Sequence, residues 1–209
     1  MPIGADAVIM QEEADAQGNR ITFSKKPKPG QSIRKRGFDF LDGRELIRPG
    51  EPLTPTMLNL AAAANYAELP VAKRPRVAIL STGDELVPPG SPLGTDQIVA
   101  SNAYGLMPLL APYADKMVDL GIVADDPRKL DSAMLSAFDY GVDVLITSGG
   151  ASVGERDHVQ AVLKNLGVNI EFWRLAMRPG KPLMFGTRGN TLVFGLPGNP
   201  VSALVTAMV

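Results

Sequence analysis

Three loops of this chain combine residue types that handle charge. The stretch Ser148-Gly149-Gly150-Ala151-Ser152-Val153-Gly154-Glu155-Arg156-Asp157 follows an apolar run and precedes a helical pattern. Its glycines let the backbone approach a ligand closely, and a helix start offers free N–H groups to an anion. Ser148 and Ser152 add hydroxyls, and Asp157 suits a cation beside the anion. A tight turn that needs glycine only for its geometry fits the same letters. The second loop, Met177-Arg178-Pro179-Gly180-Lys181-Pro182, is stiffened by two prolines and presents Arg178 and Lys181, with Arg174 four residues before Arg178. Fixed cations of this kind suit an oxyanion, although a hairpin with solvated basic tips reads the same way. The third, Gly195-Leu196-Pro197-Gly198-Asn199-Pro200, is again strand-to-helix, and Asn199 with Pro200 would also serve as an ordinary helix start.

Carboxylates accompany these loops. Glu85 follows one apolar run, Asp125 and Asp126 follow the next, and Asp157 follows a third. Converging carboxylates beside an anion site suit Mg²⁺ or another hard cation. Asp84, Asp126 and Asp157 would equally serve as turn or helix caps.

The elements that must position these residues can be read from periodicity. Residues 1–53 alternate short β-like runs, at 7–10 and 20–23, with turn clusters, which reads as a small β-rich piece with hairpins. Thr54 and Pro55 then start a helix that fades near Tyr66. Beyond a boundary near residue 72 the texture is α/β. Strands are expected at 77–80, 118–123, 142–147, 172–175, 183–185 and 192–194. Helices are expected at 102–114, interrupted by Pro108 and Pro112, at 128–138 with Leu130, Met134, Leu135 and Phe138 inward, at about 156–166, and from Pro200 onward. Such alternation predicts a three-layer α/β/α domain over 73–209 with a mostly parallel sheet, preceded by the β-rich domain 1–72. Ligands of such sheets bind beyond the carboxyl ends of the strands, where all three loops and the carboxylates fall.

Composition narrows the chemistry. The 209 residues include no cysteine and one histidine, His158, so thiolate nucleophiles, disulfides and multi-histidine metal cages are excluded. His158, on a helix beside Asp157, reads as a surface residue, and Trp173 as packing. A net charge of −1 gives no footprint for nucleic acid, and no apolar run is long enough for a membrane span, so a cytoplasmic protein is expected. No Gly-x-Gly-x-x-Gly follows the first α/β strand, which argues against a nicotinamide enzyme.

Four motifs in order resemble one family. Ser81-Thr82-Gly83-Asp84-Glu85-Leu86, the glycine stretch 148–154, Pro179-Gly180-Lys181-Pro182 and Leu196-Pro197-Gly198-Asn199-Pro200-Val201-Ser202 are similar to the signature of molybdopterin molybdenumtransferases, the family of the gephyrin E domain. The likeness extends upstream to Pro2-Ile3-Gly4-Ala5-Asp6-Ala7-Val8 and Ile33-Arg34-Lys35-Arg36-Gly37-Phe38-Asp39, and so covers nearly the whole chain. The resemblance implies insertion of molybdate into adenylylated molybdopterin, release of AMP, a requirement for Mg²⁺ and a homodimer that closes the cleft. It implies a molybdopterin adenylyltransferase as a possible partner. It implies active-site acids at Glu85, Asp125, Asp157 and Asp39, with Glu85 and Asp157 on the metal. The pterin-nucleotide would meet Thr82, Gly83, Ser148, Gly149, Gly150, Ser152, Gly154, Pro197, Gly198, Asn199 and Pro200, and an oxyanion would meet Arg174, Arg178 and Lys181. Arg174 and Arg178 stand where the family commonly has lysine, and Phe38 where an acid is usual. The family's N-terminal segment and C-terminal β domain have no counterpart here, so a central fragment is expected. A non-catalytic binding or scaffold module and an adenylyltransferase-like domain are the alternatives; residues 1–70 favour the transferase over the latter.

Overall fold

The structure, a computed structural model, describes residues 1–150 and 158–209. The chain forms two compact units, Met1–Pro70 and Val71–Val209.

In the first unit β1 (Ala14–Gln17) and β2 (Arg20–Phe23) pair as an antiparallel hairpin in the register Gln17↔Arg20. The two-residue loop works because Gly18 takes φ +60°, the position where a tight hairpin turn needs glycine. The expected strand at 7–10 does not form. Val8 donates to the Gln31 carbonyl and Gly30 to that of Asp6, but no ladder continues from this pair. Ala14-Asp15-Ala16-Gln17 has little intrinsic strand preference; the turn pairs it instead. Helix α1 (Pro55–Ala63) starts as expected, with Thr54 Oγ1 accepting from the Met57 N–H at 3.3 Å. It stops early because Asn65 adopts φ +66° and the N–H groups of Asn65 and Tyr66 turn back to the Ala62 and Ala61 carbonyls. Ala61 is the one buried residue of this unit.

The second unit is a three-layer α/β/α fold. Its sheet has the order β6-β3-β7-β10-β9-β8. Strands β3 (Arg76–Thr82), β6 (Lys116–Val123), β7 (Val144–Ser148) and β10 (Thr191–Leu196) are parallel, while β9 (Met184–Arg188) and β8 (Asn169–Phe172) close one side antiparallel. A short parallel ribbon, β4 (Leu86–Val87) with β5 (Ile98–Val99), lies outside the sheet. Helices α3 (Pro127–Asp139) and α4 (His158–Asn165) cover one face, over Ala78, Leu80, Leu145 and Val193. Helices α2 (Asn102–Leu110) and α5 (Pro200–Ala207) cover the other, over Val77, Ile79, Ile146 and Leu196. Alternation along β3 and β7 thus feeds both cores, which is why those strands are apolar throughout.

Three expectations shift. The strand expected at 172–175 lies at Asn169–Phe172, because Leu175 leaves the ladder, donates to the Lys181 carbonyl and packs into the α2/α5 core. Pro112 ends α2 as a 3₁₀ turn at Ala111–Tyr113, whereas Pro108 is carried inside the helix. On α3, Leu135 is exposed and Ala137 is buried with Leu130, Met134 and Phe138, since position 135 falls about 140° round the helix from Leu130.

Candidate functional site

The four parallel strands end at Thr82, Val123, Ser148 and Leu196, and the loops that follow them meet in a cleft of about 410 Å³. Its walls include Thr82, Gly83, Glu85, Asp125, Ser148, Gly149, Gly150, Gly198, Asn199 and Pro200, together with Ile98 to Asn102.

Local sequence fixes each wall. Strand β6 inserts one extra residue against β3 between the pairs Ile79↔Asp119 and Ser81↔Ile122. Gly121, at φ +78°, takes the bulge and donates to Asp119 Oδ1 at 2.8 Å. The strand then delivers Asp125 to β3, where Thr82 Oγ1 donates to Asp125 Oδ1 at 2.5 Å. Asp125 is half-buried and Thr82 buried, so this carboxylate is held by one firm charge-assisted bond and keeps its second oxygen outside that bond. Asp84 Oδ1 accepts from the Asp125 N–H at 3.0 Å, which gives Asp84 a turn role. Asp126 caps α3: the Lys129 N–H foremost, and then that of Arg128, hold its carboxyl below the ordinary aspartate value of 3.8. Glu85 is exposed, and its carboxylate lies over Gly83, within 2.9 Å of where a Cβ there would stand.

The glycine loop is built by close approach. A Cβ on Gly149 would stand 2.1 Å from the Thr82 carbonyl oxygen, and one on Gly150 would stand 2.4 Å from Val159 Cγ2 on α4. The Gly149 N–H donates to the Leu196 carbonyl at 3.3 Å, and Gly198 faces the Gly149 Cα at 3.7 Å from its own ideal Cβ. Three backbone segments therefore touch with no side chain between them. Ser152, Gly154 and Asp157 lie outside the described residues.

Other expected residues divide between the cleft and its surroundings. Asn199 Oδ1 accepts from the Ser202 N–H at 3.2 Å with Pro200 at the first helical position, so the pair starts α5 while also lining the cleft. Pro197 is buried and does not line it. Arg174, Arg178 and Lys181 are exposed on the β8–β9 loop. The register Phe172↔Phe185 and Met184↔Gly195 puts that loop at the same sheet edge, but Gly180 tucks against Thr206 of α5, and none of the three cations lines the cleft. Asp39 belongs to the first unit, where its carboxylate lies 3.9 Å from Arg34 in an exposed pair that contributes little. Among the described residues no three His, Cys, Asp or Glu side chains gather as a metal cage.

Asn102 was not singled out by the sequence. It reads there as a helix start, yet its Nδ2 donates both to Ser148 Oγ at 2.7 Å and to the Gly198 carbonyl at 2.8 Å. The ribbon β4–β5 that walls the cleft was also missed; two-residue strands leave no periodic signal.

The described cleft offers glycine-lined backbone, uncharged polar side chains that include Thr82, Asn102, Ser148 and Asn199, and two carboxylates, Glu85 and Asp125, with no cation among its described lining residues. An anionic ligand with a divalent cation fits that balance better than either alone.

Comparison with known proteins extends this. A family model described as "Probable molybdopterin binding domain" matches residues 78–209, and one described as "MoeA N-terminal region (domain I and II)" matches residues 1–65. The chain is 44% identical over 207 residues to a molybdopterin molybdenumtransferase of Haemophilus influenzae, covering 99% of this chain and 51% of that protein. It is 40% identical to one of Nostoc, covering 99% and 48%. A crystal structure of a molybdopterin biosynthesis MoeA protein from Pyrococcus horikoshii superimposes with a TM-score of 0.69 at 32% identity, over 97% of this chain and 50% of that one. The chain thus spans about half the length of the relatives it matches. It belongs to the family of the probable molybdopterin binding domain and carries a MoeA N-terminal region ahead of that domain.

Proposed function

We propose that the α/β unit holds the pterin-nucleotide end of adenylylated molybdopterin in this cleft, and that the whole protein is a molybdopterin molybdenumtransferase. In that reaction molybdate enters the dithiolene of the pterin, the phosphoanhydride is cleaved, and AMP leaves. The observation that carries the reading is the meeting of Gly149, Gly198 and the Thr82 carbonyl in one cavity that also receives Glu85 and Asp125. Glycine backbone with no side chain over it lets phosphate oxygens approach closely.

The charge of the cleft assigns the next role. Two carboxylates with no cation among the described lining residues would repel a phosphate, so the ligand would arrive with Mg²⁺. Glu85, Asp125 and Asp157 are the residues that would hold the ion, and it would neutralise developing charge on the phosphoanhydride. Thr82 fixes the Asp125 carboxylate, and Ser148 supplies a hydroxyl to the nucleotide. Arg174, Arg178 and Lys181, on the loop at the same sheet edge, would receive molybdate beside the cleft. The reading carries with it a cytoplasmic homodimer supplied by a molybdopterin adenylyltransferase. Among the described residues, no helix is long and apolar enough to cross a membrane.

Calorimetric titration with AMP and with adenylylated molybdopterin, each with and without Mg²⁺, tests the reading. The expected result is binding that requires Mg²⁺ and weakens by about tenfold in Asp125→Asn or Asp157→Asn, the loss of one charge-assisted contact. Binding that ignores Mg²⁺ and both substitutions would remove the cleft from the reaction.

A further inference from the structure

Asn102 sits on the first turn of α2, and its backbone is anchored by Ala103 and Leu106, both buried in the α2/α5 core. Its side chain bonds to the ends of two different strands, Ser148 at the close of β7 and Gly198 in the loop after β10. A backbone carbonyl only accepts, so Gly198 requires the nitrogen of the amide and forbids the flipped rotamer. Both hydrogens of Nδ2 are then used. The opposite atom, Oδ1, is buried with no partner among the described residues. A desolvated acceptor without a donor is costly, so the fold keeps this orientation against its local preference. Ser148 is itself buried and accepts from Asn102, which leaves its own hydrogen for another acceptor.

We propose that Asn102 is a positioning residue of the cleft: it clamps the glycine loop to the Gly198 loop and makes the Ser148 hydroxyl a donor to the bound nucleotide. The donor role rests on the function proposed above; the clamp does not. Three features favour the clamp. The two bonds join segments 96 and 46 residues away from Asn102, they engage both hydrogens of its amide, and a Cβ on Gly198 would stand 3.7 Å from the Gly149 Cα. The clamp adds to the pairing of Ser148 with Leu196 and to the Gly149 N–H bond on the Leu196 carbonyl, and it ties both loops to a residue of a packed helix.

The test uses Asn102→Asp, which keeps the shape and loses both donors, with Asn102→Ala, Ser148→Ala and the double variant. Amide hydrogen exchange on the ligand-free full chain reads the clamp. The expected result is at least about tenfold faster exchange at Gly149, with Leu80 in β3 unchanged. Unchanged exchange at Gly149, or an equal rise throughout the unit, overturns the clamp. AMP with Mg²⁺ is the probe for the donor role. Asn102→Ala, which adds no charge to the cleft, and Ser148→Ala should each weaken binding about tenfold, and the double variant of these two no further, since one bond serves both. Multiplying losses, or no loss, overturn the donor role. A wild-type chain that does not bind AMP at all refutes the proposed function and the donor role together, and the exchange measurement still decides the clamp.

Discussion

Gly149→Ala measures how tightly the glycine loop is built into the sheet. A Cβ at this position would stand 2.1 Å from the Thr82 carbonyl oxygen, where about 3.3 Å is ordinary, so one partner must move by about an ångström. The oxygen belongs to β3, which is paired by β6 on one side and β7 on the other, and it has little room to retreat. The backbone adds its own strain, because φ is +98°. Overpacking costs about 1–3 kcal/mol and the left-handed backbone about 1–2 kcal/mol, so the variant should lose about 2–5 kcal/mol. Gly189 isolates the second effect: it has φ +56° in the β9–β10 turn, and a Cβ added there would meet nothing within 4 Å. Gly189→Ala should therefore lose only about 1–2 kcal/mol. Thermal unfolding followed by the fluorescence of Trp173, the chain's one tryptophan, reports this unit. At about 3 °C per kcal/mol, Gly149→Ala should melt about 6–15 °C below the wild type and Gly189→Ala about 3–6 °C below it. Equal shifts for the two variants would mean that the loop yields at Thr82, and the argument that close approach defines the cleft would fall.

Two other perturbations address the acids. Thr82→Val removes the bond to Asp125 and should cost about 1–2 kcal/mol, along with Mg²⁺-dependent AMP binding, whereas Thr82→Ser should retain both; equal behaviour of the two would deny that the hydroxyl fixes Asp125. Asp126 has a carboxyl pKa lowered by its helix-cap bonds, so it stabilises the fold above its unfolded value near 3.8, and that stabilisation is lost as pH falls through the lower folded value. The melting difference between wild type and Asp126→Asn should hence be constant near neutrality and close below pH about 3.8; a difference that persists into stronger acid would rule out the cap's charge as its source.

The α/β unit is legible in the sequence because its signals are local and redundant. Val77-Ala78-Ile79-Leu80 reads as a strand buried on both faces, and it is one, with alternate residues in the two cores. Asp126-Pro127 and Asn199-Pro200 read as helix starts, and both the aspartate and the asparagine side chain cap the turns that follow. The first unit is harder. The apolar letters at 7–10 predict a strand, but pairing goes to Ala14-Asp15-Ala16-Gln17, selected by the turn at Gly18. With only Ala61 buried in that unit, hydrophobic patterning has little burial to report.

The site divides along a similar line. Glu85, Asp125 and the Gly149-Gly150 pair can be found because each follows a strand, and the rule that ligands meet the carboxyl ends of parallel strands needs only strand order. Asn102 cannot, since its two bonds cross 46 and 96 residues and its sequence context is an ordinary helix start. The basic loop shows the limit of the edge rule. Arg174, Arg178 and Lys181 share the correct edge, yet the loop is tied down by Gly180 against Thr206 and by the Leu175 N–H on the Lys181 carbonyl. An edge fixes which residues can meet, whereas the loop's own contacts fix which do. The charge left in the described cleft is accordingly that of Glu85 and Asp125 alone, and this imbalance, rather than the glycine motif, makes dependence on a divalent cation the sharper expectation for any nucleotide bound there.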